Sequence, residues 1–384
     1  MTIDFKTVPH ITVEDGCASK ALGPLITKKW GQSNILICTD VGLVKLGLLK
    51  GITQGLEDAG HCVAIYDGVE ADPPEQNVLD AAALGNAHGC TVVLGFGGGS
   101  PMDVAKVVAV LMKGEQPLSE MYGSDNVKSS RFPLLHIPTT AGTGSEVTPY
   151  SVITTGATSK NSVVSPVLYA DVALLDATLT TGLPQVVTAA TGIDAMVHAI
   201  EAYTTKFKKN PISDALALKA LSIMAKHIEA ACFEPNNLEA RRAMLLGSMM
   251  AGQAFANAPV AGIHALAYPL GGIYHIPHGY SNALVMPHVM AYTQSVCADL
   301  YAEIADVMLV DVKGDDAAKS EALIAYLTEL PKRLGLEVQL SAMGIEETAL
   351  DMLAEDAMIY QRMLMHNRKE IDLAAAKAIY RAAF

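Results

Sequence analysis

Aromatic residues make up only 5% of this 384-residue chain, with a single tryptophan, and charged residues only 17%. With 51% of its residues apolar and so little charge, the chain cannot stay disordered. Its length is enough for two cores. Positive charge is the scarcer sign: 27 Lys and Arg stand against 40 Asp and Glu, a formal net charge of −13. No Lys- or Arg-rich run offsets it, which argues against nucleic acid or an anionic membrane as the main partner. The six cysteines, at 17, 38, 62, 90, 232 and 297, stand singly, and no CxxC occurs. That removes thiol-redox and zinc-ribbon motifs and reads as reduced thiols in a cytoplasmic protein. The opening MTIDFK lacks the basic-then-apolar pattern of a signal peptide. No uninterrupted apolar run is long enough for a membrane span. The longest candidate, 244–267, is broken by Gly, Gln, Asn, Pro and His, and reads as a buried helix followed by a loop. Internal repeats and low-complexity tracts are absent as well.

What is there changes character along the chain. The first half alternates strand-like and helix-like segments: strands at 34–39, 62–66, 91–96 and 134–138, and helices at 43–58, 74–88 and 101–113. This order predicts an α/β domain with a parallel, Rossmann-like sheet covered by helices on both faces. The stretch 150–176 reads as short strands with turns, a hairpin beside the main sheet. Beyond Leu183-Pro184 the sequence turns Ala-, Leu- and Met-rich with a 3.6-residue period, and strand signals vanish. The expected division is a dinucleotide-binding α/β domain over 1–181 and an all-α, metal-binding domain over 182–384.

Two kinds of motif carry chemistry. The first is a Gly-rich run, Gly97-Gly98-Gly99-Ser100-Pro101-Met102-Asp103, between an apolar strand and a helix. Glycines let the backbone approach an anion, and the helix N-terminus points its N–H groups and dipole at the same spot, so a pyrophosphate fits there. It is not the GxGxxG fingerprint. Asp40, at the end of the first strand of the series, can accept hydrogen bonds from a ribose 2′-hydroxyl and would repel a 2′-phosphate, favouring NAD over NADP. It can equally cap the helix that follows. Thr139-Thr140-Ala141-Gly142-Thr143 is a second loop of hydroxyls and glycines after a neighbouring strand.

The second motif is GIDAMVHAIEA, 192–202. Asp194 and His198 are four residues apart in a helical run, so both side chains leave one face about 6 Å apart along the axis. That suits two ligands of one divalent ion, and one Asp with three His completes a set for iron or zinc. Downstream, His264 and His278 are candidates to complete it, but His227, His275 and His288 compete, and spacing alone does not choose.

Taken together, the runs GGGSPMDVAK (97–106), IPTTAGTGSEVT (137–148), GIDAMVHAIEAY (192–203) and HALAYPLGG…HIPHG (264–279) resemble the iron-containing (group III) alcohol dehydrogenases along nearly the whole chain. The resemblance implies a dehydroquinate synthase-like architecture. Its metal ligands would be Asp194, His198, His264 and His278, holding Fe²⁺, or Zn²⁺ as in some members. Cofactor contacts would fall on Asp40, Gly97, Gly98, Gly99, Ser100, Asp103, Thr139, Thr140, Thr143 and Lys160, the last reaching the nicotinamide ribose. The pocket walls would be Tyr150, Val152, Phe255 and Tyr268. The activity implied is reversible NAD-linked oxidation of a small alcohol to an aldehyde or ketone, in a homodimer; the apolar segment 5–13 can supply an edge strand for dimerisation or equally pack within its own domain. A maleylacetate reductase-like or glycerol dehydrogenase-like enzyme, and a non-catalytic nucleotide-binding module, are the alternatives.

The chain departs from the pattern at Tyr268, where several family members carry a histidine that can relay a proton. A tyrosine is a poor base at neutral pH, its ordinary pKa being about 10. His275, ribose hydroxyls or water are the alternatives, so His275 and Tyr268 join His264 and His278 as catalytic candidates. Met365-His366-Asn367-Arg368 is a second departure, where members often have an Asn-Pro-Arg turn.

Overall fold

The computed structural model describes residues 3–156 and 159–384, which form two compact units. One comprises residues 6–140 and the described part of 144–181 and carries every strand of the described residues; the other comprises residues up to Phe5, 141–143 and 182–384, and is helical.

The strands are β1 (Ile11–Val13), β2 (Asn34–Cys38), β3 (Cys62–Tyr66), β4 (Val92–Gly97), β5 (Gly123–Ser124), β6 (Leu134–Pro138), β7 (Tyr150–Thr155), β8 (Ser159–Val164) and β9 (Val172–Leu175). Six of them form one wholly parallel sheet in the order β1-β9-β6-β4-β2-β3, with β1 at one edge. Its central strands are buried throughout and apolar except for His136 of β6, as strands covered on both faces must be. Ile35, Ile37, Val92, Leu94 and Phe96 face one way, onto the helices Leu22–Trp30 and Lys50–Asp58. The opposite face meets the helices Glu75–Ala87 and Gly99–Leu111: a Cβ added at Gly85 would touch Leu36, and one at Gly95 would lie 2.9 Å from the backbone of Met102. The predicted hairpin is present as the antiparallel pair β7–β8, in a small second sheet with β5.

Two expectations are corrected. The single helix read over 43–58 is two, Val41–Lys45 and Lys50–Asp58, because Gly47 takes a left-handed φ of 75° and breaks the run. The loop expected at the end of 244–267 is short: the helix Leu238–Asn257 ends, and a new helix, Gly262–Tyr274, begins almost at once. The apolar pattern continued across the junction, so periodicity alone could not place the break.

In the helical unit, three helices build the site. Gln185–Thr204 is buried without interruption from Gly192 to Tyr203, as a central helix must be. Gly262–Tyr274 and His278–Met308 flank it. At Gly279 the flanking helix touches the central one backbone to backbone: a Cβ there would lie 2.3 Å from the carbonyl oxygen of Ala190. Only glycine permits that approach, and it brings the preceding residue, His278, over Asp194.

Candidate metal centre and cofactor loop

Asp194 and His198 project from one face of the central helix, as the four-residue spacing requires. His264 lies in the first turn of Gly262–Tyr274, and His278 opens His278–Met308. One ligand atom from each of the four lies within 4.8 Å of the others. Asp194 Oδ1 is 3.6 Å from His278 Nε2 and 3.9 Å from His264 Nε2. The tertiary structure thus selects His264 and His278; His227 sits elsewhere, its ring bonded to the carbonyl of Ile223 one turn back in its own helix. Asp194, His198 and His264 are buried, while the His278 side chain is 36% exposed, so the centre meets solvent on the His278 side.

The ligands are held by a second layer of contacts. Glu201, one turn beyond His198, accepts from His264 Nδ1 at 2.6 Å and from the backbone N–H groups of Ala261 and Ile263. The carboxylate therefore satisfies the start of the His264 helix and holds the proton on Nδ1, which leaves the Nε2 lone pair facing the centre. His198 Nδ1 donates to the carbonyl of Gly142 at 3.3 Å, with the same consequence. Its ring is stacked between Phe255, centroids 4.3 Å apart, and His264, 4.6 Å. Asn282 donates its amide N–H to Asp194 Oδ1 at 2.7 Å. Burial pushes the His198 imidazole down to about 3, so it is neutral and metal-ready across the physiological range. Burial raises the Asp194 carboxyl, but the three imidazoles and the Asn282 hydrogen bond outweigh that and hold it below the usual carboxylate range.

One carboxylate and three imidazoles, each with a ligand atom within 4.8 Å of the others, fit a borderline divalent ion such as Fe²⁺ or Zn²⁺. Tyr268 lies beside this set, its ring edge-on to His278 at 5.7 Å and to Tyr360 at 4.9 Å. His275 is instead the left-handed residue that ends the helix Gly262–Tyr274, with its side chain exposed. Met365–Arg368 packs on the end of the central helix: Lys206 N–H donates to the His366 carbonyl and Arg368 Nε to that of Thr204.

In the α/β unit, β4 runs into Gly97 and Gly98, and the helix Gly99–Leu111 follows with no side chain capping its N-terminus. Its first N–H groups are thus available to an anion. Gly97 has φ 147°, and a Cβ on it would strike Pro101 at 2.7 Å; a Cβ on Gly98 would meet only the Thr140 side chain, at 3.5 Å. Gly98 therefore borders open space. Gly99 and Ser100 form the helix's first turn. Because β6 pairs with β4, Pro138 opposite Gly97, the threonine loop arrives at the same sheet end, and Thr139 N–H donates to the Gly97 carbonyl. Thr143 belongs with the helical unit, next to the Gly142 carbonyl that holds His198.

Three of the expected cofactor contacts are engaged within the protein. Asp40 caps Val41–Lys45, accepting from Leu43 N–H at 3.0 Å. Asp103 turns inward: it accepts from Ser145 Oγ, from the fully buried Lys106 and from the Val152 N–H. Lys160 pairs with Asp72 at 2.6 Å. Tyr150 offers its carbonyl to Lys106. Glu201, Asn282 and Tyr360 were not singled out from the sequence. For Glu201 the signal was present: it is seven residues after Asp194, on the same helix face. Asn282 and Tyr360 carried none, since their roles depend on how separate helices pack.

The comparisons with known proteins fit this site. A family model described as iron-containing alcohol dehydrogenase matches residues 9–177, and one for the C-terminal part of the Fe-containing alcohol dehydrogenase family matches residues 188–384. The chain is 39% identical to long-chain-alcohol dehydrogenase 1 of Geobacillus thermodenitrificans, over 93% of this chain and 91% of that one. It is 32% identical to the NAD-dependent methanol dehydrogenase of Bacillus methanolicus, over 91% and 92%. The crystal structure of a 1,3-propanediol oxidoreductase superposes with a TM-score of 0.96 at 34% identity, covering 100% of both chains.

Proposed function

The chain belongs to the iron-containing alcohol dehydrogenase family, and on that premise we propose that it is a metal-dependent, NAD-linked enzyme interconverting a small alcohol and its aldehyde or ketone. The observation that carries this reading is the complete set Asp194, His198, His264 and His278 with converging ligand atoms. A divalent ion held there supplies Lewis-acid chemistry, polarising an alcohol or carbonyl oxygen and lowering the alcohol's pKa. Glu201 and the Gly142 carbonyl keep His264 and His198 in the tautomer that donates inward. Phe255, stacked on His198, fixes that ring and keeps water from its face. Tyr268 and Tyr360 give an aromatic edge to the exposed, His278 side, which suits a small, partly apolar substrate.

For the cofactor, the Gly98 cradle and the uncapped helix start suit a pyrophosphate, and Thr139 and Thr140, at the same sheet end, offer polar groups to the same ligand. Asp40 supports NAD over NADP, since its carboxylate would repel a 2′-phosphate while its cap to Leu43 uses one oxygen only. The name of the Bacillus methanolicus relative supports the same preference. The edge position of β1 supports a homodimer, and no described helix is long and apolar enough to cross a membrane. Elemental analysis followed by NAD⁺ reduction with a panel of small alcohols, after stripping and refilling with Fe²⁺ or Zn²⁺, tests the proposal. One metal per chain and activity that returns on refilling are expected; a chain that takes up no metal overturns it.

A further inference from the structure

Asn282 stands one helical turn after His278 on the same helix, fully buried, and its amide nitrogen points into the ligand set. That nitrogen is 2.7 Å from Asp194 Oδ1, 3.3 Å from His264 Nε2 and 3.4 Å from His278 Nε2. The amide oxygen is buried and has no hydrogen-bond partner. The chemistry of this arrangement is specific. Glu201 holds the His264 proton on Nδ1, so His264 Nε2 is an acceptor and only a donor or a cation is favourable opposite it. Two acceptor atoms, Asp194 Oδ1 and His264 Nε2, converge beside His278 Nε2, and an NH₂ group brings two hydrogens to them: one on the short bond to Asp194, the other toward the imidazoles. A buried amide whose oxygen goes unsatisfied while its nitrogen faces the acceptors Asp194 Oδ1 and His264 Nε2 is oriented by the site, since packing alone would favour neither face.

We infer that Asn282 is a positioning residue of the metal centre. Its amide nitrogen holds Asp194, His264 and His278 in ligating geometry before the ion arrives, and its bond to Asp194 fixes the carboxylate afterwards. The bond shared by the imidazoles gives way to the ion. Without these donors the lone pairs of the stripped centre repel one another, the side chains spread, and the ion must gather them again. The inference rests on the metal reading of the four-residue set, and two substitutions in the full-length protein separate it from a packing role. Asn282→Leu keeps the volume and removes the donors; Asn282→Asp keeps the shape and replaces donors with acceptors.

Zn²⁺ affinity by chelator competition and melting of the stripped and Zn²⁺-loaded forms are the readouts. Asn282→Leu is expected to weaken Zn²⁺ binding tenfold or more, as loss of a group that orients ligands does. Asn282→Asp is expected to melt lower than the parent when stripped, because two carboxylates then face each other, and to gain more from Zn²⁺ than the parent gains. An affinity within twofold of the parent in Asn282→Leu overturns the inference. So does an equal shift of the stripped and loaded melting temperatures in Asn282→Asp, the signature of packing alone. A parent protein that binds neither Zn²⁺ nor Fe²⁺ overturns the metal reading and this inference together, whereas a binding parent with unaltered variants overturns the inference only.

Discussion

The helical unit and the α/β unit gather groups suited to ions of opposite sign, and they use opposite materials. In the helical unit the groups that face a cation are side chains, buried and hydrogen-bonded in advance: Glu201 behind His264, the Gly142 carbonyl behind His198, Asn282 beside Asp194. In the α/β unit the groups that suit an anion are backbone N–H groups, and the side chains around them are either absent, at Gly97 and Gly98, or turned inward, at Asp103. The contrast has a physical basis. A first-row divalent ion needs directed lone pairs from side chains, here imidazoles and a carboxylate, and each must be oriented. A pyrophosphate needs many weak donors at close range, which a helix start supplies once no Cβ stands in the way.

The comparison breaks most completely at His264. His264→Ala is expected to abolish metal binding and turnover together, measured by elemental analysis and alcohol-dependent NAD⁺ reduction; a variant with full metal content would remove this residue from the ligand set. Next in size is Glu201→Gln. An amide oxygen that keeps His264 and Ala261 turns the NH₂ toward the Ile263 N–H, and one that keeps Ile263 turns it toward the His264 ring, so the bond to the ring is no longer secured. Metal affinity should fall by roughly 10–100-fold with the fold intact, and an unchanged chelator competition curve would show that the tautomer is set some other way.

On the anion side, Gly98→Ala should weaken NAD⁺ binding about tenfold, equivalent to about 1.4 kcal/mol. It should leave the melting temperature alone, because its Cβ meets only Thr140 at ordinary contact distance. Gly97→Ala supplies the control: with φ 147° and a 2.7 Å clash with Pro101, it should lower the melting temperature as well. If the two behaved alike in both assays, the cradle would be a turn and nothing more.

The smallest effect concerns a buried charge that belongs to neither ion. Burial raises the Glu146 carboxyl from 4.5 to about 7, with Lys106 opposing. Between those values the folded chain keeps a proton that the unfolded chain releases, so this group's contribution is complete below pH 4.5 and is lost as pH rises through 7. Glu146→Gln should therefore match the parent near pH 4 and melt higher than it at pH 8. Equal melting at both values would mean that the Glu146 charge is stabilised when ionised.

Legibility followed the same division. The strand–glycine–helix cradle is contiguous in sequence, so its elements were readable directly, and β3 and β6 match the expected strands to the residue. Gly47 was visible too, but a glycine inside a helical pattern does not announce whether it breaks the helix. In the helical unit, Asp194 and His198 were readable because i and i+4 share a face wherever the helix lies. Spacing said nothing of His264 against His275. One is buried at a helix start and anchored by a carboxylate 63 residues earlier; the other is exposed at that helix's end, 11 residues further on.

By itself, then, the sequence determined what local geometry can carry: an α/β half with a phosphate-suited turn, a helical half, one pair of ligands on one face, and through its ordered motifs the family. The tertiary structure decided which distant histidines stand beside Asp194 and His198, which ring nitrogens of His198 and His264 meet an acceptor, and that Glu201 and Asn282 lie against them. Those depend on helices meeting at close range, as at Gly279 against Ala190, and no pattern within a single helix encodes the neighbour it will touch.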